Sequence, residues 1–399
     1  MTPSRPLLLI AMRAVKQHGL SLIEMMVGLT IGLVLTLGLF TLIANTSQSF
    51  KVQDDFSRMQ ENGATAFRYI GDSLRHAGFF GNVMATGNIK ISAGSAVAET
   101  TNPPCGSAAN PPGANWAFDF TTPIIAFAPA TANEANALFP CIRTQNFYAP
   151  PPMANPNPVL VTRGANGFRV CVALVPVPGP PVCTNANSLL AAQLDPANTV
   201  YVQANPYDGA IFFGREYPTA DAKKYLVGGL PGNDMEMFEY RTHVYYIRPC
   251  SRPLNGAICG ANLDGNGNSL DDNSNPIPTL VRQELVGSAM TEVPLVEGIE
   301  LIDYRFGIDT NGDGVADVFN ATPIPTDWIN VVTVKVSILV RSPSLNLAYD
   351  DSGKQYDLYG DGKTRVFRCT AAPPPACSYK RKVFSQSFQV RNLAQRKGA

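Results

Sequence analysis

The chain has 399 residues, equal numbers of basic and acidic side chains (31 each), three histidines and eight cysteines. Its 45% apolar content suffices for one sizeable core with elaborations or for two domains. A formal net charge of zero argues against nucleic acid as the main partner.

The segment Lys16-Gln17-His18-Gly19-Leu20-Ser21-Leu22-Ile23-Glu24 runs into an uncharged apolar stretch from Met25 to Ala44. Roughly twenty apolar residues at about 1.5 Å each cross the ~30 Å hydrocarbon core, so this stretch reads as a membrane span. Arg5, Arg13 and Lys16 precede it with no acidic residue, and the next charge after Glu24 is Lys51. The positive-inside rule therefore places the N-terminus in the cytoplasm and the bulk of the chain outside. The apolar run from Pro6 to Met12 is too short for a secretory signal and is followed by Arg13 and Lys16. No small-x-small site follows Ala44, so the span is expected to stay in the mature protein. Glu24 lies at the mouth of this span, where an unpaired carboxylate costs several kcal/mol, so it needs a partner. Gly28, Gly32 and Gly38 in the same helix permit close helix packing.

Past the span, Val52, Phe56, Met59, Gly63, Phe67, Ile70, Leu74 and Ala77 recur at steps of three and four. Asp54, Asp55, Arg58, Glu61, Arg68, Asp72 and Arg75 fill the other positions, and Gly78 is a C-terminal stop. One long helix is predicted, apolar all round at first and amphipathic afterwards.

Residues 79–198 are rich in Pro, Ala, Asn and Gly with few charges and short strand-like pieces such as 158–162, and read as a loop-rich insertion. From 199 onward strand signals are denser: 199–202, 210–213, 243–247, 279–285 and the alternating run 332–340. Lys382 to Asn392 supplies a last strand. The fold class is α+β, a long N-terminal helix on an antiparallel sheet. The segments are 1–19, 20–44 (span), 45–78 (amphipathic continuation), 79–198 (insertion) and 199–399 (sheet head).

None of the eight cysteines has C-x-x-C spacing and all lie beyond the span, which points to disulfides in an oxidising compartment such as the periplasm. Proximity favours Cys171 with Cys183, Cys250 with Cys259 and Cys369 with Cys377, leaving Cys105 with Cys141.

Asp309-Thr-Asn311-Gly-Asp313-Gly314-Val315-Ala-Asp317 follows a strand-like stretch and alternates oxygen ligands. On the EF-hand template Asp309, Asn311 and Asp313 take positions one, three and five, Gly314 six, the Val315 carbonyl seven and Asp317 nine. Position twelve is Asn320 rather than Glu, which predicts weak calcium binding, about 10⁻⁴ to 10⁻³ M. A polar hairpin turn is the competing reading, since Asn-Gly and Asp-Gly are strong turn signals. Asp264, Asn266, Asn268, Asp271 and Asp272, and the pair Asp357 and Asp361, read as turns.

No G-x-S-x-G, H-E-x-x-H or G-x-x-x-x-G-K motif is present, and outside the leader only His76 and His243 could serve as imidazole bases. The expectation is a protein that is not an enzyme, with a membrane-anchored secreted hydrolase as the enzymatic alternative.

Gly19, an apolar residue, then Ser21-Leu22-Ile23-Glu24 resembles the class III signal of type IV prepilins. The run Arg75-His76-Ala77-Gly78-Phe79-Phe80-Gly81 and the terminal strand Lys382–Asn392 resemble the pilus-assembly protein W family of minor pilins. The resemblance implies a type IV pilin fold and cleavage between Gly19 and Leu20 by an inner-membrane prepilin peptidase, with N-methylation of Leu20. Leu20 departs from the usual Phe. Glu24 would become the fifth mature residue and meet the new ammonium of Leu20 on a neighbouring subunit. Met12 to Gly19 alone makes a typical short leader, so Met12 is an alternative start.

A minor pilin of this kind would be an inner-membrane single-pass protein of a Gram-negative bacterium, N-in and C-out, and after assembly part of an extracellular pilus tip. It would help initiate pilus assembly with other minor pilins, the major pilin and a tip adhesin as partners, serving twitching motility and cell adhesion. A minor pseudopilin of a type II secretion system is the structural alternative. The largest pseudopilin also carries calcium and long insertions but typically lacks the fifth-position Glu.

Overall fold

The computed structural model describes residues 21–393 apart from 98–104, 106–115, 170–198, 217–236, 371–376 and positions 82, 84–85, 93–94, 152, 205, 207, 255, 257, 348 and 363–364. The chain divides into Met1–Asp54 and Asp55–Ala399. Helix α1, Leu22–His76, contributes to both units.

In the first unit α1 is long and apolar enough to cross a membrane, and its side chains are exposed, Phe40 at 69% and Leu42 at 68%. In hydrocarbon a helix must satisfy its own polar groups. The threonines do so by bonding back along the helix: Thr36 Oγ1 donates to the Gly32 carbonyl at 2.5 Å and Thr46 Oγ1 to the Leu42 carbonyl at 2.7 Å.

In the second unit α1 buries Met59, Gly63, Ala66, Phe67, Ile70 and Leu74, a stripe at the helical period. That stripe packs on a four-stranded sheet of β9 (Ile299–Ile308), β10 (Val318–Asn320), β11 (Val331–Arg341) and β14 (Arg381–Gln389), ordered β10-β9-β11-β14 and antiparallel throughout. Strand alternation sends Ile302, Tyr304, Phe306, Val334, Val336, Ile338 and Phe388 into the core shared with the helix. Each such buried side chain contributes about 1.5–3 kcal/mol. Contact is close because glycines face the sheet: a Cβ at Gly71 would overlap the Phe388 ring, and one at Gly63 would lie 3.2 Å from Phe384. The helix stops at Gly78, whose φ of +75° suits glycine and whose N–H donates to the Arg163 carbonyl at 2.9 Å.

The sheet's other face carries Leu301, Leu339 and Val383. A hairpin of β12 (Gln355–Asp357) and β13 (Val366–Arg368) covers it with Leu358 and Phe367, next to the Cys369–Cys377 disulfide. Beside that cluster, buried Arg381 binds both oxygens of Glu300 (2.5 and 3.0 Å) and Asp351 (3.0 Å).

Asn157 closes part of the β9 edge. Its Oδ1 accepts from Ile302 N–H at 2.9 Å and its Nδ2 donates to the Glu300 carbonyl at 3.3 Å, the bonds that a neighbouring strand would make.

A larger sheet joins both halves of the second unit. Its strands are β1 (Ile89–Ile91), β2 (Ile124–Phe127), β3 (Val159–Arg169), β4 (Val200–Ala204), β5 (Gly209–Phe213) and β6 (Met237–Arg248). The order is β1-β5-β4-β6-β3-β2, parallel only at β1/β5, and β6 also pairs with β7 (Thr279–Val286), which pairs with β8 (Ala289–Glu297). So the described part of 79–198 is built into the sheet through β1, β2 and β3. Its aromatic residues explain why: Trp116, Phe120 and Phe139 join Phe80 and Tyr240 in one core, with Phe80 edge-on to Phe120 at 5.3 Å. A short helix α2, Ala132–Leu138, is capped by Thr131, whose side chain accepts from Glu134 N–H.

Candidate functional site: the helix entrance and the acidic hairpin

Gly19 and Leu20 lie outside the described residues. The structure begins with Ser21 as the cap of α1. Its N–H donates to Glu24 Oε2 at 3.4 Å, and its Oγ accepts from Ile23 N–H at 3.4 Å. Ser21 thus caps the helix and Glu24 reaches back to it, a variant of the capping box legible in the sequence as S-x-x-E. Glu24 sits in the first helical turn, where its negative charge suits the positive end of the helix dipole. Its carboxylate is exposed and open to a further partner. A Cβ added at Gly28, Gly32 or Gly38 meets nothing within 4 Å in the single chain.

The acidic segment forms the turn between β9 and β10. Asp309 is buried (1% exposed) and organises the loop. Its Oδ1 accepts from the N–H groups of Asn311 (3.2 Å) and Gly312 (2.6 Å), and its Oδ2 from Gly314 N–H (2.9 Å). Asp313 Oδ1 accepts from Val315 N–H at 2.8 Å. Asp317 Oδ2 closes the turn by accepting from Thr310 N–H at 2.8 Å and Thr310 Oγ1 at 2.7 Å. Those Thr310 bonds favour the ionised form and hold the Asp317 carboxyl below its ordinary pKa. The Asn311 Nδ2 group bridges Asp313 (3.2 Å) and Asp317 (3.4 Å). Gly312 and Gly314 supply φ values of +87° and +81° for the tight turns. Asp309, Asn311, Asp313, Asp317 and the Val315 carbonyl are all oxygen donors, the set a hard divalent cation prefers. Asn320 falls in β10 opposite Phe306, with its Oδ1 taken by Thr322 N–H at 3.0 Å.

Of the two other acidic segments, 264–268 is a turn as expected, whereas Asp271 and Asp272 open a four-residue helix, Asp271–Ser274, and Asp357 ends strand β12. Asp264 accepts from the N–H groups of Asn266 and Asn268, both at 2.8 Å, and Asp357 Oδ1 from Tyr359 N–H at 2.9 Å. Disulfides join Cys105 to Cys141, Cys250 to Cys259 and Cys369 to Cys377, while Cys171 and Cys183 lie outside the described residues. Cys250, Cys259 and Asp271 bring ligand-type atoms within 4.8 Å of one another, but the two sulfurs are bonded to each other.

His243 Nδ1 lies 2.8 Å from Ser73 Oγ, which lies 2.6 Å from the Tyr245 hydroxyl. The group is buried where α1 packs on β6, beside a cavity of about 20 Å³, room for about one water. Burial, then the charges of Arg282, Arg241 and His76, push the His243 pKa well below its ordinary value.

The family described as Prokaryotic N-terminal methylation motif matches residues 15–40, the segment that holds Gly19, Leu20, Glu24 and the first turns of α1. With the α+β fold and the exposed apolar helix, this match supports a pilin-like chain with a membrane-anchoring N-terminal helix. The family described as Type IV Pilus-assembly protein W matches residues 268–392, from just before β7 to just past β14, and supports a pilin-like protein of the W type. These families are structural rather than enzymatic, and proteins of the pilin family contact other pilus components. Neither a curated protein nor a solved structure matches the chain.

Proposed function

We propose that the protein is a minor pilin that helps initiate type IV pilus assembly and takes a place in the tip complex. The observation that carries this reading is the join of the methylation-motif segment to a helix whose lower half is apolar and exposed and whose upper half buries one face on the W-matched sheet. In the proposed sequence a peptidase cuts after Gly19, Leu20 gains a charged and methylated amine, and that amine pairs with Glu24 of an adjoining subunit. Truncating one partner of a buried pair costs about 3–5 kcal/mol, enough to reject a subunit out of register. The head projects outside the inner membrane, and its bulk suits a tip rather than a repeated position in the shaft. Twitching motility and adhesion would follow from the pili it starts.

The test is deletion of the gene followed by complementation with wild type or Glu24→Ala. Loss of surface pili and twitching with type II secretion intact, unrescued by Glu24→Ala, is the expected outcome. Normal pili with impaired secretion would move the assignment to a pseudopilin, and wild-type piliation with Glu24→Ala would remove the pairing role.

We further propose calcium as the ligand of the Asp309–Asp317 hairpin. Its support is the all-oxygen donor set and the buried, backbone-bonded Asp309 that fixes the turn. The cation would draw Asp313 and Asp317 together in place of the bridging Asn311 amide.

A further inference from the structure

A second cavity, of about 460 Å³, opens between the Cys250–Cys259 disulfide and the ends of β9, β11 and β14. Its walls are apolar and stiff, with Tyr148, Tyr379, Pro151, Pro276 and Pro278 among them. The polar side chains that border it are largely committed. Both Glu300 oxygens are held by Arg381, and the Asp271 oxygens accept from Leu254 N–H (2.9 Å), Gly260 N–H (2.6 Å) and Ser269 Oγ (3.0 Å).

Among the charged side chains Arg341 is the exception. It is 7% exposed, its guanidinium stacks 4.0 Å over the Tyr379 ring, and Nη2 donates to the Pro276 carbonyl at 2.7 Å. Nε is buried without an acceptor, and among the described residues no carboxylate comes within ion-pairing distance of Arg341. Arginine cannot shed its proton, so the usual escape of a buried, unpaired charge is closed to it. Arg381, a few ångströms of sheet away, shows how this fold balances a buried guanidinium when it supplies the carboxylates itself.

We propose that this cavity binds a monocarboxylate carrying a compact apolar body, with the carboxylate on the Arg341 guanidinium and the body against the tyrosine and proline walls. A sugar would need several uncommitted acceptors and donors, which the committed Glu300 and Asp271 do not offer. A monocarboxylate needs one cation and an apolar wall. That chemistry belongs equally to a free small acid and to the C-terminal residue of a polypeptide.

The test uses the full chain in detergent micelles and isothermal titration calorimetry. The probes are 3-phenylpropionate and its amide, and N-acetyl-Pro-Phe as the free acid and as the C-terminal amide. Saturable binding of an acid is expected, with its amide weaker by about 10-fold or more, since a charge-assisted bond is lost. A tighter dipeptide acid assigns a chain terminus, and a tighter phenylpropionate a free acid. Arg341→Gln should abolish binding. Should that variant not fold, Gln145→Glu, at an exposed residue on the cavity rim, keeps the fold and should weaken the acid by about 3-fold or more through like-charge repulsion. Equal affinity for acid and amide overturns the proposal, as does no saturable binding of either acid up to about 10 mM, or unchanged binding to folded Gln145→Glu.

Discussion

Asp55 and Lys380 stand 325 positions apart and form an ion pair at 3.1 Å. Asp55 lies in α1 where the second unit begins, and Lys380 immediately precedes β14. Ser344 Oγ donates to the other Asp55 oxygen at 2.6 Å, and the paired side chains are only 11% and 14% exposed. Removing one partner strands the other in a largely dry place. Asp55→Ala should therefore lower stability by about 1–3 kcal/mol, and pairing it with Lys380→Met should recover part of the loss. Thermal melts of the four proteins in the cycle decide this, and strictly additive losses would show that the pair contributes nothing of its own.

At Gly71 two effects oppose each other. Alanine favours a helix interior by about 1 kcal/mol, yet the added methyl would enter the Phe388 ring. Overpacking typically costs about 1–3 kcal/mol, so Gly71→Ala should destabilise on balance. The double variant Gly71→Ala with Phe388→Leu should regain stability relative to Gly71→Ala, whereas a further drop in chemical denaturation would place the strain elsewhere.

His243 makes stability depend on pH in one direction. Its folded-state pKa lies well below the ordinary value because burial, Arg282, Arg241 and His76 all disfavour the imidazolium. The unfolded chain takes up a proton near pH 6.5 while the folded chain does not. This contribution is thus complete above about 6.5 and is lost as pH falls below it, by at most about 1.4 kcal/mol per pH unit, until the folded histidine itself protonates. His243→Gln should flatten urea-denaturation stability between about pH 5 and 6.5 relative to wild type. Identical slopes would show that other groups govern that limb.

If calcium occupies the Asp309–Asp317 hairpin with the weak affinity that Asn320 implies, about 10 mM calcium should add about 1.4–2.7 kcal/mol of stability. Asp313→Ala should remove that increment while leaving the calcium-free melting point nearly unchanged, because Asp313 is exposed and bonds only within the loop. Magnesium at the same concentration provides the control for nonspecific screening. An unmoved melting point in calcium would leave the hairpin as a turn.

Periodicity made the frame legible and left the long-range joins hidden. The stripe Met59, Phe67, Ile70, Leu74 and the alternation of 332–340 each announce a face to be buried, and both are buried on each other. The larger sheet was less readable, because β6 meets β3, β4 and β7, partners that lie far away in sequence and leave no local mark. Proline- and glycine-rich composition in 79–198 reads as loop, yet Trp116, Phe120 and Phe139 anchor that region in a core. At the site, S-L-I-E carried the position of Glu24 in the first turn, and Asn-Gly with Asp-Gly carried the turn after β9. What no spacing rule discloses is the balance of charge: Arg341 and Arg381 look alike in the sequence, and only the fold shows that Arg381 binds two carboxylates while Arg341 binds none among the described residues.

Asn157 bears on how such a molecule tolerates company. An uncapped strand margin is an invitation for another polypeptide to anneal. One carboxamide, presenting acceptor and donor to Ile302 and Glu300 as a strand would, blunts the margin without adding a strand. A chain approaching this stretch of β9 finds the Ile302 donor and the Glu300 acceptor already engaged.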